Sequence, residues 1–302
     1  MRRYLGMACL VAACVAAPAG AKEEAPVPAQ VEAPAGALED LITMRVDGEL
    51  VVGTDGKAAS YELKTKIDDK LTVLIAKHVA LWRFMPVTVD GKPARVRTDM
   101  RITLVGRKSQ TGYDVAVDNV VFITPKSGEE GRADLHRTTD ADIAIVKQKP
   151  MPKYPHAYNA NGLVTLMLHI APDGTVDQIA ATQCSLYFTR GTEKDKANAC
   201  KSMEDNAISA IRQWRFKLPP GPIVDSTGVM PVQYAMGDQR GMQIRETSNP
   251  GKWRMESRGK YRKPEWARDA NGQRVGTADM VGNEMMPSTS PLTFTSGGPE
   301  GA

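Results

Sequence analysis

The residues able to do chemistry are few and widely spread in this chain. The four histidines, His78, His136, His156 and His169, fall in different segments with no paired spacing. A metal site needs three or four ligands that converge, so none is expected. His78 lies one turn before Trp82 on a helix-like stripe and reads as a packed imidazole. His169 sits in an alternating run, on the face opposite Leu168 and Ile170. Ser257-Arg258-Gly259-Lys260 matches a Ser-x-x-Lys spacing. In acyl-serine enzymes that spacing needs a helix and a buried lysine, whereas here it stands among glycine, proline and charge. No HExxH, phosphate-binding glycine loop or GxSxG occurs. The expectation is therefore no catalytic residue, no cofactor and no enzyme.

The remaining chemistry is that of Cys184 and Cys200, and it depends on compartment. The chain opens MRRYLGMACLVAACVAAPAGA. Arg2 and Arg3 precede an apolar run from Leu5 to Ala17, and Ala19-Gly20-Ala21 is a small-residue cleavage site. This is the pattern of a secretory signal peptide over residues 1–21, with an apolar run too short to span a bilayer as a helix. A periplasmic chain is expected. Val11-Ala12-Ala13-Cys14 also resembles a lipobox, and the alternative is a chain lipid-anchored through Cys14. Removing the segment leaves 37 Lys and Arg against 35 Asp and Glu, a net charge of +2. That balance argues against nucleic acid as a partner. Cys9 and Cys14 leave with the signal, and in an oxidising compartment Cys184 and Cys200 default to a disulfide.

The elements that must position these residues recur. Trp-Arg-Phe occurs at 82–84 and again at 214–216, each time after a helical stripe and just before a proline. The first stripe is Ile67, Leu71, Leu74, Ile75, His78, Val79 and Trp82. The second is Met203, Ala207, Ala210, Ile211 and Trp214, broken only by Asn206. Upstream of each lies a hairpin signal, Asp55-Gly56 and Asp173-Gly174 between alternating apolar runs. Downstream of each lies an alternating strand, Val96 to Leu104 and Met230 to Met236. From Asp55 to Trp82 is 27 residues and from Asp173 to Trp214 is 41, and the extra 14 are expected in a loop clipped by Cys184 and Cys200.

The predicted fold is α+β: two tandem small domains, each an antiparallel three-stranded sheet packed by one or two helices. The expected organisation is a linker rich in Ala, Pro and Glu at 22–38, a first domain at 39–124, a polar linker at 125–149 and a second domain at 150–237. A tail of low order follows at 238–302.

The second copy reads PKYPHAYNANGLVTLMLHIAPDGTVDQ, then AISAIRQWRFKLP, then a closing strand. It resembles the C-terminal domain of the TonB family of periplasmic energy transducers. The shared marks are Tyr154-Pro155, Gly162 opening the first strand, Asp173-Gly174, and Trp214 with Phe216 before Pro219. The first copy is the more divergent. It keeps the turn, the helix, Trp82, Phe84 and Pro86, and lacks the Tyr-Pro opening. The resemblance implies a periplasmic domain that adds a strand to a segment of an outer-membrane receptor.

This chain departs from the family in its cleavable-looking start, its short proline-rich stretch and its second copy. The expected function is that of a non-enzymatic adaptor in cell-envelope transport. The alternatives are a true energy transducer and a secreted enzyme with an unrecognised site.

The expected binding edge is the closing strand of the second copy, Met230, Val232, Tyr234 and Met236, because no further strand follows it. Residues 250–268 carry seven Lys or Arg against two Glu, with Trp253, Tyr261 and Trp266 interleaved. They are a candidate contact with membrane headgroups or cell-wall polymer. A homodimer is a further expected association.

Overall fold

The structure is a computed structural model describing residues 38–89, 91–123, 144–187, 191–218, 226–235, 250–267, 286–287 and 292–299. The expected signal peptide, Cys14, almost all of the expected first linker, His136 and Met236 lie outside these residues. In chain order the first half holds β1 (Glu39–Val52), β2 (Ala58–Leu63), α1 (Asp69–Leu81), β3 (Arg83–Phe84), β4 (Thr88–Val89), β5 (Lys92–Pro93), β6 (Val96–Ser109) and β7 (Gly112–Ile123). The second half holds β8 (Ala144–Lys147), β9 (Asn161–Ile170), β10 (Val176–Tyr187), α2 (Glu193–Ile211), β11 (Arg215–Lys217) and β12 (Thr227–Tyr234). Then come β13 (Arg254–Arg258), β14 (Met286–Pro287) and β15 (Phe294–Ser296). Among the described residues no helix is long and apolar enough to cross a membrane.

The expectation of two separate small domains is wrong. One sheet of nine strands runs β14-β12-β9-β10-β13-β1-β6-β7, with β2 paired to the far end of β1. The pairings along this path are antiparallel, and the fold is predominantly sheet, with α1 and α2 on one face. Inside that sheet the duplication is real: β12-β9-β10 and β6-β1-β2 have the same strand order, each with its helix between the second and third strands in sequence.

What fuses them is β13, from the segment expected to have little order. β2 pairs only with Gly48–Val52 of β1, so Glu39–Thr43 project beyond it. β13 fills that gap, pairing Glu39–Thr43 on one side and Ser185–Tyr187 of β10 on the other. A buried strand edge must satisfy its main-chain donors and acceptors; all five residues of β13 pair with β1, and three of them, Glu256–Arg258, pair with β10 as well.

Each helix forms for local reasons. Asp68 caps α1, its side chain accepting from Lys70 N, and Thr192 caps α2 in a reciprocal capping box with Asp195. The predicted stripes point inward: Ile75, Val79 and Trp82 in one copy, Met203, Ala207, Ala210, Ile211 and Trp214 in the other, are all buried. Asn206, the break in the second stripe, is only partly buried, and its Nδ2 donates to the Ser202 carbonyl.

The repeated Trp-Arg-Phe has one structural role in both copies. Phe84 N donates to the Gly56 carbonyl at 2.8 Å, and Phe216 N donates to the Gly174 carbonyl at 2.9 Å. Arg83 and Arg215 each return a guanidinium N–H to the carbonyl of the preceding tryptophan. The motif therefore clasps the Asp-Gly turn of its own hairpin. Both glycines need φ values near +80° (Gly56 +75°, Gly174 +82°), and a Cβ there would lie 2.2 Å from Phe84 O or 2.0 Å from Phe216 O. Each clasp is covered by a short strand from elsewhere, β15 over β3 and β8 over β11. Residues 144–147, placed in the second linker by the sequence, thus belong to the second copy's packing. Phe294 of β15 joins Trp82, Phe84 and Phe122 in one aromatic cluster.

The extra length of the second copy is not an inserted loop. β10 has 12 residues where β2 has 6, and α2 has 19 where α1 has 13. Cys184 and Cys200 are bonded, with Cα atoms 5.9 Å apart. The disulfide ties the lengthened strand to the lengthened helix through the core.

Replacing Gly174 by alanine is expected to destabilise the chain by more than the roughly 1–3 kcal/mol of left-handed strain alone, because the new Cβ meets the Phe216 carbonyl. Gly91 also has positive φ, +74°, but nothing lies within 4 Å of its notional Cβ, so Gly91→Ala should show the strain alone. Urea denaturation of the two variants measures the difference, and equal costs would refute the clasp.

Candidate functional site

The strongest concentration of charge lies where β13 joins the copies. Direct pairs in an antiparallel ladder share a face, so Arg254 stands beside Thr43, Glu256 beside Leu41 and Tyr187, and Arg258 beside Ser185. This is the face opposite the helices. The Glu256 carboxylate is fully buried. It accepts from Arg254 Nη2 at 2.9 Å, Arg258 Nε at 2.8 Å and Thr43 Oγ1 at 2.8 Å. Arg258 also reaches Asp118 Oδ2 at 2.6 Å, and the Arg254 guanidinium lies 3.9 Å from the centre of the Tyr187 ring.

Burial by itself would raise the Glu256 pKa, but the attraction of Arg258, Arg254 and Arg45 outweighs it and holds the carboxyl far below its usual range. On the helix face, Ser257 donates to Asp40, which also takes Lys196 Nζ of α2 at 2.8 Å. The hydrogen bonds from Lys196 and then Ser257 lower the Asp40 pKa. Burial would lower the Lys196 pKa, but its bonds to Asp40 and Glu193 raise it overall.

These contacts re-assign the basic tail. Arg254 and Arg258 are held inside by Glu256, and Arg262 donates to Glu204 of α2, a carboxyl whose pKa burial raises even against that guanidinium. Trp266 packs beside Met167, Val229 and Ala267. Three of the seven cations are thus committed to internal pairs. Ser257 lies on a strand and Lys260 is exposed, so the Ser-x-x-Lys spacing has neither helix nor buried lysine.

The expected edge strand is partly covered. Met230 and Tyr234 point into the core under α2, with Tyr234 Oη donating to Met203 O at 2.7 Å, and Val232 packs against the same core. β14 pairs the outer side of β12 at Gly228 and Val229. β7 pairs with β6 and is, among the described residues, the far end of the sheet, with Gly112–Asp114 and Ala116 exposed.

The marks of the resemblance are structural. Tyr154 Oη donates to Ala160 O at 3.0 Å, its pKa raised by burial, and Pro155 is buried. Asp173 caps its turn by accepting from Thr175 N, and Trp214 Nε1 donates to Pro150 O at 2.7 Å. A polar hollow of about 300 Å³ on the outer side of α2 is lined by Tyr158, Asn198, Lys201, Ser202, Asp205 and Asn206.

Among the histidines, His78 is half-buried and His156 exposed. No group of three or more His, Cys, Asp or Glu among the described residues could hold a metal. His169 is different: its Nδ1 lies 2.6 Å from Asp177 Oδ1 and its Nε2 lies 3.0 Å from Ser226 Oγ. His169 and Asp177 lie eight residues apart on one hairpin, but Ser226 is 57 residues from His169 and the three match no short motif, so the pairing of β9 with β10 and β12 is what brings them together. The seam was easier to see. Arg254, Glu256 and Arg258 alternate with period two, a strand signal masked by the surrounding glycine and proline.

Comparisons with protein-family models, with curated proteins and with solved structures returned no match.

The Glu256 pKa is lowered on folding, so its ionised form stabilises the fold above the unfolded value of 4.5, and that contribution is lost as pH falls below it. Glu256→Gln should cost about 3–5 kcal/mol at pH 7 by leaving the arginines uncompensated. It should also flatten the fall in stability that the wild type shows below about pH 4.5. Denaturation midpoints across that range decide it, and parallel curves for the two proteins would refute the role given to Glu256.

Proposed function

We propose that the protein is an adaptor of the cell envelope that binds a partner protein by strand addition. The observation that carries this reading is the twice-repeated strand order, β12-β9-β10 and β6-β1-β2, in a sheet whose β7 end leaves Gly112–Asp114 and Ala116 exposed. The resemblance of residues 150–237 to a periplasmic strand-adding domain supports the same reading. It makes the natural partner an extended segment of another envelope protein, such as an outer-membrane receptor.

The edge best suited to binding shifts from β12 to β7. On β12, β14 occupies part of the outer side and the named side chains face inward. On β7, the residues 112–116 read GYDVA, with no proline and with Tyr113 48% exposed. Main-chain groups of such a strand supply affinity to an incoming strand, and alternate side chains supply selectivity. Tyr113 offers an aromatic anchor with low side-chain entropy.

A photo-reactive benzophenone amino acid at position 113, expressed in whole cells, should cross-link to a discrete envelope protein. The same residue at Val73, exposed on α1, should not. No adduct from position 113, or equal adducts from both positions, would overturn the reading.

A further inference from the structure

Three side chains that the fold does not need for packing meet on the face of the sheet away from the helices. His169 is on β9, Asp177 on β10 and Ser226 directly before β12. The ladder between β9 and β10 is irregular here. Gln178 pairs with His169 and Val176 with Ile170, so Asp177 is the extra residue of a bulge. A bulge re-aims a side chain that regular pairing would send elsewhere, and this one turns the Asp177 carboxylate onto His169 Nδ1 at 2.6 Å. On the other side, Thr227 pairs with His169 and Ile170 N donates to Ser226 O, which fixes Ser226 beside the imidazole.

A carboxylate only accepts hydrogen bonds, so Nδ1 donates to Asp177, and in the neutral ring Nε2 presents its lone pair. Ser226 Oγ, at 3.0 Å, then donates to Nε2. Nucleophile, base and orienting carboxylate are thus in series, the arrangement that activates a serine whatever the fold that carries it. His169 and Asp177 remain partly open to solvent, with side chains 36% and 42% exposed, so a substrate can approach. Two residues along the same face, Met167 pairs with Val229, and Ala267 and Trp266 pack against them. This apolar patch shares the face with the three side chains and offers a surface to an apolar acyl group.

We propose that Ser226, His169 and Asp177 form an acyl-transfer site that takes uncharged carboxylic esters with a short apolar acyl group. Ser226 and His169 are its catalytic residues, and Asp177 positions the imidazole. Ser226 Oγ bonds to the acyl carbon while its proton passes to His169 Nε2. The ester C–O bond then breaks, and the leaving alkoxide takes that proton as the alcohol. Water attacks the acyl-serine, giving one proton to Nε2 and its hydroxyl to the acyl carbon. The carboxylic acid departs and Oγ recovers the proton. No oxidant, metal or second substrate is required. This goes beyond the binding reading and revises the expectation that the chain has no catalytic residue.

The test uses the full-length exported protein, a fluorescent alkyl fluorophosphonate and p-nitrophenyl butyrate. Folded protein should be labelled at one site, mapped by peptide mass spectrometry to Ser226. Labelling should vanish in Ser226→Ala and fall at least about tenfold in His169→Ala, in line with the usual worth of a general base. Added imidazole should restore part of the His169→Ala signal. Asp177→Asn should lower kcat for the ester and leave KM unchanged. All variants should keep the wild-type melting temperature, because the three side chains are surface-facing. The proposal falls if folded wild type labels no faster than heat-denatured protein, if Ser226 labelling survives His169→Ala undiminished, or if imidazole restores nothing.

Discussion

A carboxylate with no solvent exposure, Glu256, stands at the junction of the two halves of the sheet, and the architecture depends on how it is held. Such a charge is tolerated only when cations and donors replace the water it has lost. Arg254 and Arg258 come from its own strand two residues either way, Thr43 from β1, and Arg45 adds its field. The strand periodicity makes the arrangement specific. A slip of one residue would turn Met255 into the polar face and drive Glu256 toward the helices. The ion cluster thus sets the register of β13, and β13 sets the relation of β10 to β1.

The two clasps explain how a duplicated unit remains recognisable after its copies have diverged in length. In each, the glycine of the turn lies so close to the Trp-Arg-Phe strand that no other residue fits, and the tryptophan closes the helix onto the same corner. Length was free to change in the strand and helix between those fixed points, and the second copy lengthened both. The disulfide joins the two lengthened elements, constraining the part of the unit that has no counterpart in the first copy.

The tail has a corresponding role. It crosses the sheet at β13, pairs β12 through β14 and covers the first copy's clasp through β15. The copies are therefore not independently closed modules. This leaves the chain with a polar sheet face, on which a bulge brings Asp177 to His169, and with an exposed end at β7. The face and the edge are separate surfaces, so chemistry at one does not exclude a partner at the other.

Much of the local structure is legible from residue order. The alternating runs, the Asp-Gly turns, the helix stripes and the Trp-Arg-Phe repeat are short-range patterns, and the hairpins, helices and buried tryptophans follow from them. The pairing of Cys184 with Cys200 is expected from their being the two cysteines beyond the first 21 residues, and the two are bonded. Long-range pairing was not legible. RMESR carries a two-residue alternation, yet nothing local says that both of its edges will be filled, or that its glutamate will be buried among arginines drawn from two strands. The His169 trio is hidden for the same reason: Ser226, directly before β12, is 57 residues from His169 and meets it only through the pairing of β12 with β9, and a bulge visible only in the ladder aims Asp177. Short-range periodicity determined which elements form. The satisfaction of main-chain groups and buried charge across the sheet, which depends on residues far apart in the chain, decided that two predicted domains became one.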